Sequence, residues 1–365
     1  MRLSARGGIV TVRGTVSQGK FCYRSKFVIF FRRDEPPARM MTLTQEDWKT
    51  VAAEHQARAA RHTQPARHRR DRGLPHPIED FLFQYYPYPL ALLEAWQAGI
   101  GIACEWDTKR EETPLPCGIS ERYHTCTGAF FFADPGKLKE KERERLQWIC
   151  SLLEASSTRA PNFACHGLHE WAMVYGGHEV RHEKTTRLRL PQREIDALVE
   201  SRAICCSHHD AFRFFAAAAR PLNRLQPSLD SRVQHEQPGC VHANMDLYKW
   251  AAKAMPWVGS ELLLDCFELA LHLRDLDMRA SPYDLSEWGR EAIKIETSDG
   301  RRTYESEQRR LAALAAPLRA RLIAALRETL AHPALKHPAS GVSDGAPHRT
   351  NALRAAADGT IAPLS

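Results

Sequence analysis

Apolar residues recur at helical spacing through most of the chain between residues 42 and 329. Thr44, with Asp47 three positions on, predicts a capped helix start, and that helix is expected to run to about Arg61. Leu146, Ile149, Leu152 and Leu153 predict a second helix behind a charged first turn. His208 to Ala219 and Asn244 to Met255 read as further helices, the latter stopped by Pro256. The best-marked helix is Ser260 to Met278, where Leu263, Phe267, Ala270, Leu271 and Arg274 keep the period and Pro282 bars continuation. A last helix is expected from about Arg302 to Thr329, kinked at Pro317. Strand signals are few: Thr186 to Leu190, and a hairpin across Asp299-Gly300 flanked by Ile293 and Ile295. The expected fold class is mainly α, a single large helical domain with a few short strands or hairpins.

Both ends depart from this pattern. Residues 1–41 are rich in Gly, Ser and Arg and end in Met40-Met41, as a disordered extension or a start placed too far upstream would. Residues 331–365 carry Pro333, Pro338, Pro347, Gly341 and Gly345 with little apolar patterning, and are expected to form a disordered tail. The domain is therefore placed at residues 42–330.

At 43% hydrophobic and 26% charged, the chain can build an ordinary globular core. The net charge of +7 is uneven. Arg58, Arg61, Arg67, Arg69, Arg70 and Arg72 crowd one stretch together with His55, His62 and His68. Such a cluster can hold phosphate groups, or it can be a solvated face. The early apolar run Phe27 to Phe31 is too short to span a bilayer and lacks the cleavage site of a secretory signal. Ten cysteines without such a signal read as thiols in a reducing compartment. No membrane partner and a cytoplasmic location are expected.

The chemistry concentrates in the second half. Eight of the 17 histidines lie between His166 and His242, with Cys165, Cys205, Cys206 and Cys240 in or beside the same region. In the stretch Cys165-His166-Gly167-Leu168-His169-Glu170, a helix would put His166 and His169 on one face and Glu170 beside His166. That face could hold a metal, act as an acid/base pair, or be a hydrogen-bonded structural cluster. In Ser207-His208-His209-Asp210, Ser207 can cap a helix with Asp210 returning the bond. Cys240 and His242 are a pair of possible ligands from a loop, and Asn244 is a candidate cap with Asp246 in the first turn behind it. The long apolar helix delivers Asp277, Arg279, Tyr283 and Asp284 to its C-terminal end. Carboxylates there oppose the helix dipole, so a cation or a site must hold them. A metal, zinc or iron, would draw its ligands from Cys165, His166, His169, Cys240 and His242.

The runs His169 to Tyr175, Asp210 to Phe215, Gln237 to Cys240, His242 to Lys249 and Ala280 to Asp284, with Pro77 to Tyr86, resemble a bacterial family carried under the name 3-methyladenine DNA glycosylase. The likeness spans roughly residues 42–325. It implies hydrolysis of the N-glycosidic bond of an alkylated purine flipped out of duplex DNA, with no cofactor required. Under that reading Glu170 is the first candidate for the catalytic carboxylate and Asp210 the second. Asp246 and Asp277 add carboxylates, and Trp171, Tyr175, Phe212 and Tyr248 supply rings for the base. His169, Asn244, Arg279 and Tyr283 complete the substrate-binding set, and Arg61, Arg67, Arg69 and Arg70 would hold the DNA backbone. The helix-hairpin-helix signature of other glycosylases is not matched: Gly99-Ile100-Gly101 is its nearest counterpart, and no second helix is expected after it. Two other readings follow from the residues alone: a metal-dependent enzyme using the His/Cys-rich site at 165–242, and a non-enzymatic binding protein with a buried polar network.

Overall fold

The computed structural model describes residues 3–6, 9–18, 21–30, 40–106, 119–127, 129–177 and 186–332, with residues 3–30 described as backbone only. The tail expected at 331–365 lies outside them beyond residue 332. Strands β1 (Leu3–Arg6), β2 (Ile9–Gln18) and β3 (Phe21–Phe30) pair antiparallel in the order β1-β2-β3.

The remainder is mainly helical with one small sheet. Strand β4 (Met41–Leu43) leads into α1 (Gln45–Asp71), α2 (Phe81–Tyr85) and α3 (Leu90–Glu94). Strands β5 (Ile102–Glu105), β6 (His124–Thr127) and β7 (Phe130–Ala133) follow. The sheet has order β4-β5-β7-β6, with β4 parallel to β5 and the other pairs antiparallel. None of these four strands is long enough to show a period in the sequence. Residues 102–105, directly after Gly101, are strand rather than the start of a second hairpin helix.

Helix α1 starts where expected: Thr44 accepts the Asp47 N–H, and its hydroxyl donates to the Asp47 carboxylate. It passes Pro65 and ends ten residues later than the sequence implied, at Asp71. Its buried positions Trp48, His55, Ala59, Thr63 and Ala66 keep one face inward throughout. Thr63 donates to Glu94 at 2.5 Å, so contacts with α3 hold the stretch that propensity alone would release.

The rest of the chain comprises α4 (Glu140–Thr158), α5 (Leu168–Met173), α6 (Gln192–Glu200), α7 (His209–Phe212), α8 (Arg232–His235), α9 (Val241–Lys253), α10 (Ser260–Arg279) and α11 (Ser298–Leu330). Helix α9 packs along α10, α10 against α11, and α11 against α4. Trp250, Leu263, Phe267, Leu273, Leu311 and Leu322 fill the seams. None of the described helices is long and apolar enough to cross a membrane.

Several local expectations are corrected. The Asp299-Gly300 pair is no hairpin: both residues lie in the first turn of α11, and Thr297 caps it by accepting the Gly300 N–H. A side chain at Gly300 would collide with the Lys294 carbonyl oxygen at 1.9 Å, so the glycine serves a close backbone approach. The helix expected over His208 to Ala219 shrinks to four residues. His208, not Ser207, is its N-cap, and it makes no side-chain capping bond. Between Thr186 and Leu190 the only strand-like pairing is one bridge, Leu188 to Tyr283. Asn244 does not cap α9, which begins three residues earlier behind Cys240.

Candidate functional site

The centre is built from three helix ends. The chain enters α5 through two consecutive residues with left-handed backbone, His166 (φ 45°) and Gly167 (φ 77°). A Cβ on Gly167 would approach the Ala280 Cβ to 3.1 Å, so glycine fits both the dihedral and the space. Because the helix starts only at Leu168, His166 and His169 do not share a face. His166 turns outward to Glu305 (3.4 Å), while His169 and Glu170 enter the core. Trp171, fully buried, donates its indole N–H to the Ala280 carbonyl at 2.8 Å and ties α5 to the end of α10.

Asp277, in the last turn of α10, is fully buried. Its Oδ1 lies 2.8 Å from His169 Nε2, and its Oδ2 lies 3.4 Å from Arg274 Nη1 and 3.8 Å from His242 Nε2. These contacts hold a carboxylate against the unfavourable end of the helix dipole. His242, in the first turn of α9, meets His169 edge to face with ring centres 4.6 Å apart. Arg274 also approaches Glu170 at 3.6 Å. One ligand-type atom each from His169, Glu170, His242 and Asp277 falls within 4.8 Å of the others.

The electrostatics separate the four groups. Burial would lower the His169 pKa, but Asp277 and then Cys165 outweigh it and raise it well above the usual imidazole range. Burial raises Glu170 to about 7, with repulsion from Asp277 adding to it. His242 is pushed down to about 3 by burial and stays neutral. Asp277 is held below the ordinary carboxylate range because His169, His242 and Arg274 overcome its burial. A cavity of about 10 Å³, room for one water or ion, lies against Cys165, His169, Cys206, Cys240, His242 and Tyr304. Cys165 Sγ is 3.3 Å from His169 Nδ1.

A second polar cluster adjoins the first. The His208 ring stacks on His242 at 5.5 Å, and His208 Nε2 faces Asp246 (3.3 Å) and Glu236 (3.6 Å). Arg232, fully buried on α8, binds Glu236 at 2.6 Å, Asp246 at 2.9 Å and Asp210 at 3.3 Å. Lys249 adds contacts to Asp210 (2.9 Å) and Asp246 (3.3 Å), and the Tyr86 hydroxyl donates to Asp246 at 2.6 Å. Asp210 is thus an ion-pair member rather than a capping residue. Three carboxylates meet Arg232 and Lys249 here, Arg213 reaches Asp210 at 3.6 Å from outside, and His208 stands beside Asp246 and Glu236.

The other residues singled out from the sequence scatter. Asn244 donates to the Pro238 carbonyl and accepts from Arg319. Tyr248 is buried against Tyr86, Tyr88 and Phe267, and Phe212 packs on Phe215. Tyr175 donates to Glu200 (2.8 Å), Arg279 donates to the Glu291 carbonyl (3.0 Å), and Tyr283 is core. Cys165 and Cys240 border the small cavity without joining the four-residue cluster.

Much of the basic run on α1 is neutralised. Arg58 faces Asp265 and Glu268, Arg67 faces Glu94, and Arg69 faces Glu79 and Asp80. Arg61 and Arg70 are exposed and make no ion pair among the described residues. Arg232 and Glu236 were not singled out from the sequence, while Tyr86 closes the Pro77 to Tyr86 run that was. Glu236 sits directly before the Gln237-Pro238-Gly239-Cys240 run, which was its one signal; Arg232 had none. Comparison with known proteins finds no matching family model, no similar curated protein and no similar solved structure.

Proposed function

We propose that this chain is a metal-dependent hydrolase whose centre is His169, His242 and Asp277, with Glu170 beside them. The carrying observation is the convergence of ligand atoms from α5, α9 and α10 within 4.8 Å of one another in a buried site. Two imidazoles and a carboxylate are a donor set that suits iron or zinc and leaves coordination positions open. His242 is held neutral by burial, the state in which imidazole ligates a metal, whereas a bound metal would have to displace the proton that Asp277 favours on His169. A metal held there would supply an activated water, and Glu170, its carboxyl raised to about 7, would be the group to take the water's proton. The free thiols among the described residues suit a reducing compartment such as the cytoplasm.

The test is metal analysis of protein purified without chelator, alongside Asp277→Asn and His242→Ala. About one zinc or iron per chain, lost in both variants while the fold persists, supports the reading. Metal-free protein that also fails to take up added zinc or ferrous iron rules it out.

A second reading is a metal-independent DNA glycosylase for alkylated purines such as 3-methyladenine, acting in base excision repair. The buried pairing of the Glu170 and Asp277 carboxylates favours it, as one can stay protonated beside an ionised neighbour. On α1, Arg61 and Arg70 make no ion pair among the described residues and are free to meet phosphates. Chelator-resistant formation of abasic sites in methylated duplex, lost in Glu170→Gln, would select this reading over the first.

A further inference from the structure

We propose that the open pocket between the turn into α5, the end of α6 and the first turn of α11 binds a phosphomonoester dianion carried on a small apolar group. The cavity holds about 210 Å³. Its walls are apolar: Ala164, Leu168, Leu198, Ala203 and Ile295. Its charged lining groups are Arg202 and Arg301, with His166 beside them, and no carboxylate lines it.

That absence of countercharge sets this pair apart from the arginines around it. Arg189 is held by Glu296 at 2.6 Å, Arg290 by Asp275 at 2.7 Å and Arg309 by Glu305 at 2.7 Å. Arg202, exposed to solvent at the mouth of the pocket, has no hydrogen bond or ion pair among the described residues. Arg301 spends its guanidinium on two neutral acceptors, the Ile295 carbonyl (2.8 Å) and Ser298 Oγ (3.2 Å). Glu305 sits near His166, but Arg309 already engages it. Burial, then repulsion from Arg202 and from Arg302, holds Arg301 below its usual range. Two like charges at one cavity, without a carboxylate between them, are relieved by a bound anion.

The charge count chooses the anion. Two guanidiniums balance a phosphomonoester, which carries about two negative charges near neutral pH, and their planar forks match its oxygens. A carboxylate would leave one guanidinium uncompensated. The volume exceeds what a bare phosphate needs, and the apolar walls suit a ring or short alkyl group on the ester oxygen. This inference does not rest on the metal reading. The segment 164–168 that forms one wall does run directly into His169, so a ligand here would lie against the backbone that positions the buried centre.

The experiment is isothermal titration calorimetry of the full chain with phenyl phosphate, with inorganic phosphate and benzoate as comparison arms. Phenyl phosphate should bind at one site per chain, and about tenfold or more tighter than benzoate. Arg202→Gln should weaken it by about tenfold or more at an unchanged thermal midpoint. Arg202→Glu should abolish binding. Arg193→Gln, a substitution at an exposed arginine elsewhere on α6, should leave it unaltered. Because Arg301 also braces the start of α11, Arg202 carries the test. No saturable binding by the unmodified protein, or equal affinity in Arg202→Gln, overturns the site. Benzoate binding as tightly as phenyl phosphate overturns the dianion, and inorganic phosphate binding as tightly overturns the apolar part.

Discussion

His169 Nε2 and Asp277 Oδ1 lie 2.8 Å apart between two fully buried side chains from α5 and α10, 108 residues apart in sequence. This contact joins the strained turn at His166-Gly167 to the end of the longest apolar helix in the core. Asp277→Ala would leave a charged or ligand-ready imidazole without its anion and Arg274 without one of its carboxylates. The expected loss is about 3–5 kcal/mol of unfolding free energy. Urea unfolding of the metal-free protein measures it. A loss within experimental error would mean that the pair is not the clasp described.

Arg232 is the second clasp, with three carboxylates on one fully buried guanidinium. Arg232→Met removes the charge at similar volume and should cost about 3–5 kcal/mol, because Glu236 loses its fixed cation and Asp246 and Asp210 lose one of theirs. Adding Asp246→Asn to that variant should recover part of the loss, because one stranded charge disappears. A double-mutant cycle with strictly additive effects would show that the two side chains are not coupled.

Asp210 and Asp246 make the protein sensitive to acid. Burial alone would raise both, but His209, Lys249 and Arg232 at Asp210, and Lys249, His208 and Arg232 at Asp246, hold them far below the ordinary carboxylate range. A carboxylate depressed in the folded state stabilises it above the unfolded-state pKa of about 4, and that contribution is lost as pH falls through the folded value. Stability followed by chemical denaturation should therefore fall steadily below about pH 4. The slope should be shallower in Asp246→Asn. An identical pH slope in that variant would assign the acid sensitivity elsewhere.

Gly167→Ala tests the entry to α5. The left-handed dihedral and the 3.1 Å approach to Ala280 both oppose a methyl group. We expect about 1–2 kcal/mol of destabilisation. Weaker uptake of zinc by the folded variant should accompany it, since His169 and Glu170 follow directly. Unchanged stability and metal affinity would show that the turn relaxes without moving the centre.

On α1, paired and unpaired arginines should behave differently. Arg69→Gln leaves Asp80 without its cation, with Glu79 keeping only Arg290 at 3.8 Å and His76, and should lower the thermal midpoint. Arg61→Gln and Arg70→Gln should leave it unchanged, surface substitutions of this kind being worth within about 0.5 kcal/mol. If the chain binds DNA through this face, only the latter two should reduce the salt dependence of binding measured by fluorescence anisotropy.

The helices that pack on long apolar faces were legible in the sequence. Ser260–Arg279 and the start of α1 at Thr44 follow from periodicity and capping alone, because burying one face of a helix imposes a period that survives in the residues. The short sheet was not legible. Strands of three or four residues carry too few positions to show alternation, and the register of β4-β5-β7-β6 is set by partners distant in sequence. Asp299-Gly300 misled because a turn-forming pair and the first turn of a capped helix use the same residue types, and only the approach of Lys294 separates them.

The site divides along the same line. The sequence marked the protein as mainly helical and placed His169, Glu170, His242 and Asp277 in polar stretches, with only Asp277 read at a helix end. Tertiary structure alone decided that these four converge, that His166 turns away from them, and that Asp210 is held in an ion pair. It also brought in Arg232 and Glu236, which no local pattern marks. The physical reason is that capping, period and propensity act within a few residues along one element. Which buried charge neutralises which is settled by the packing of α5, α8, α9 and α10 against one another, and no single segment carries that information.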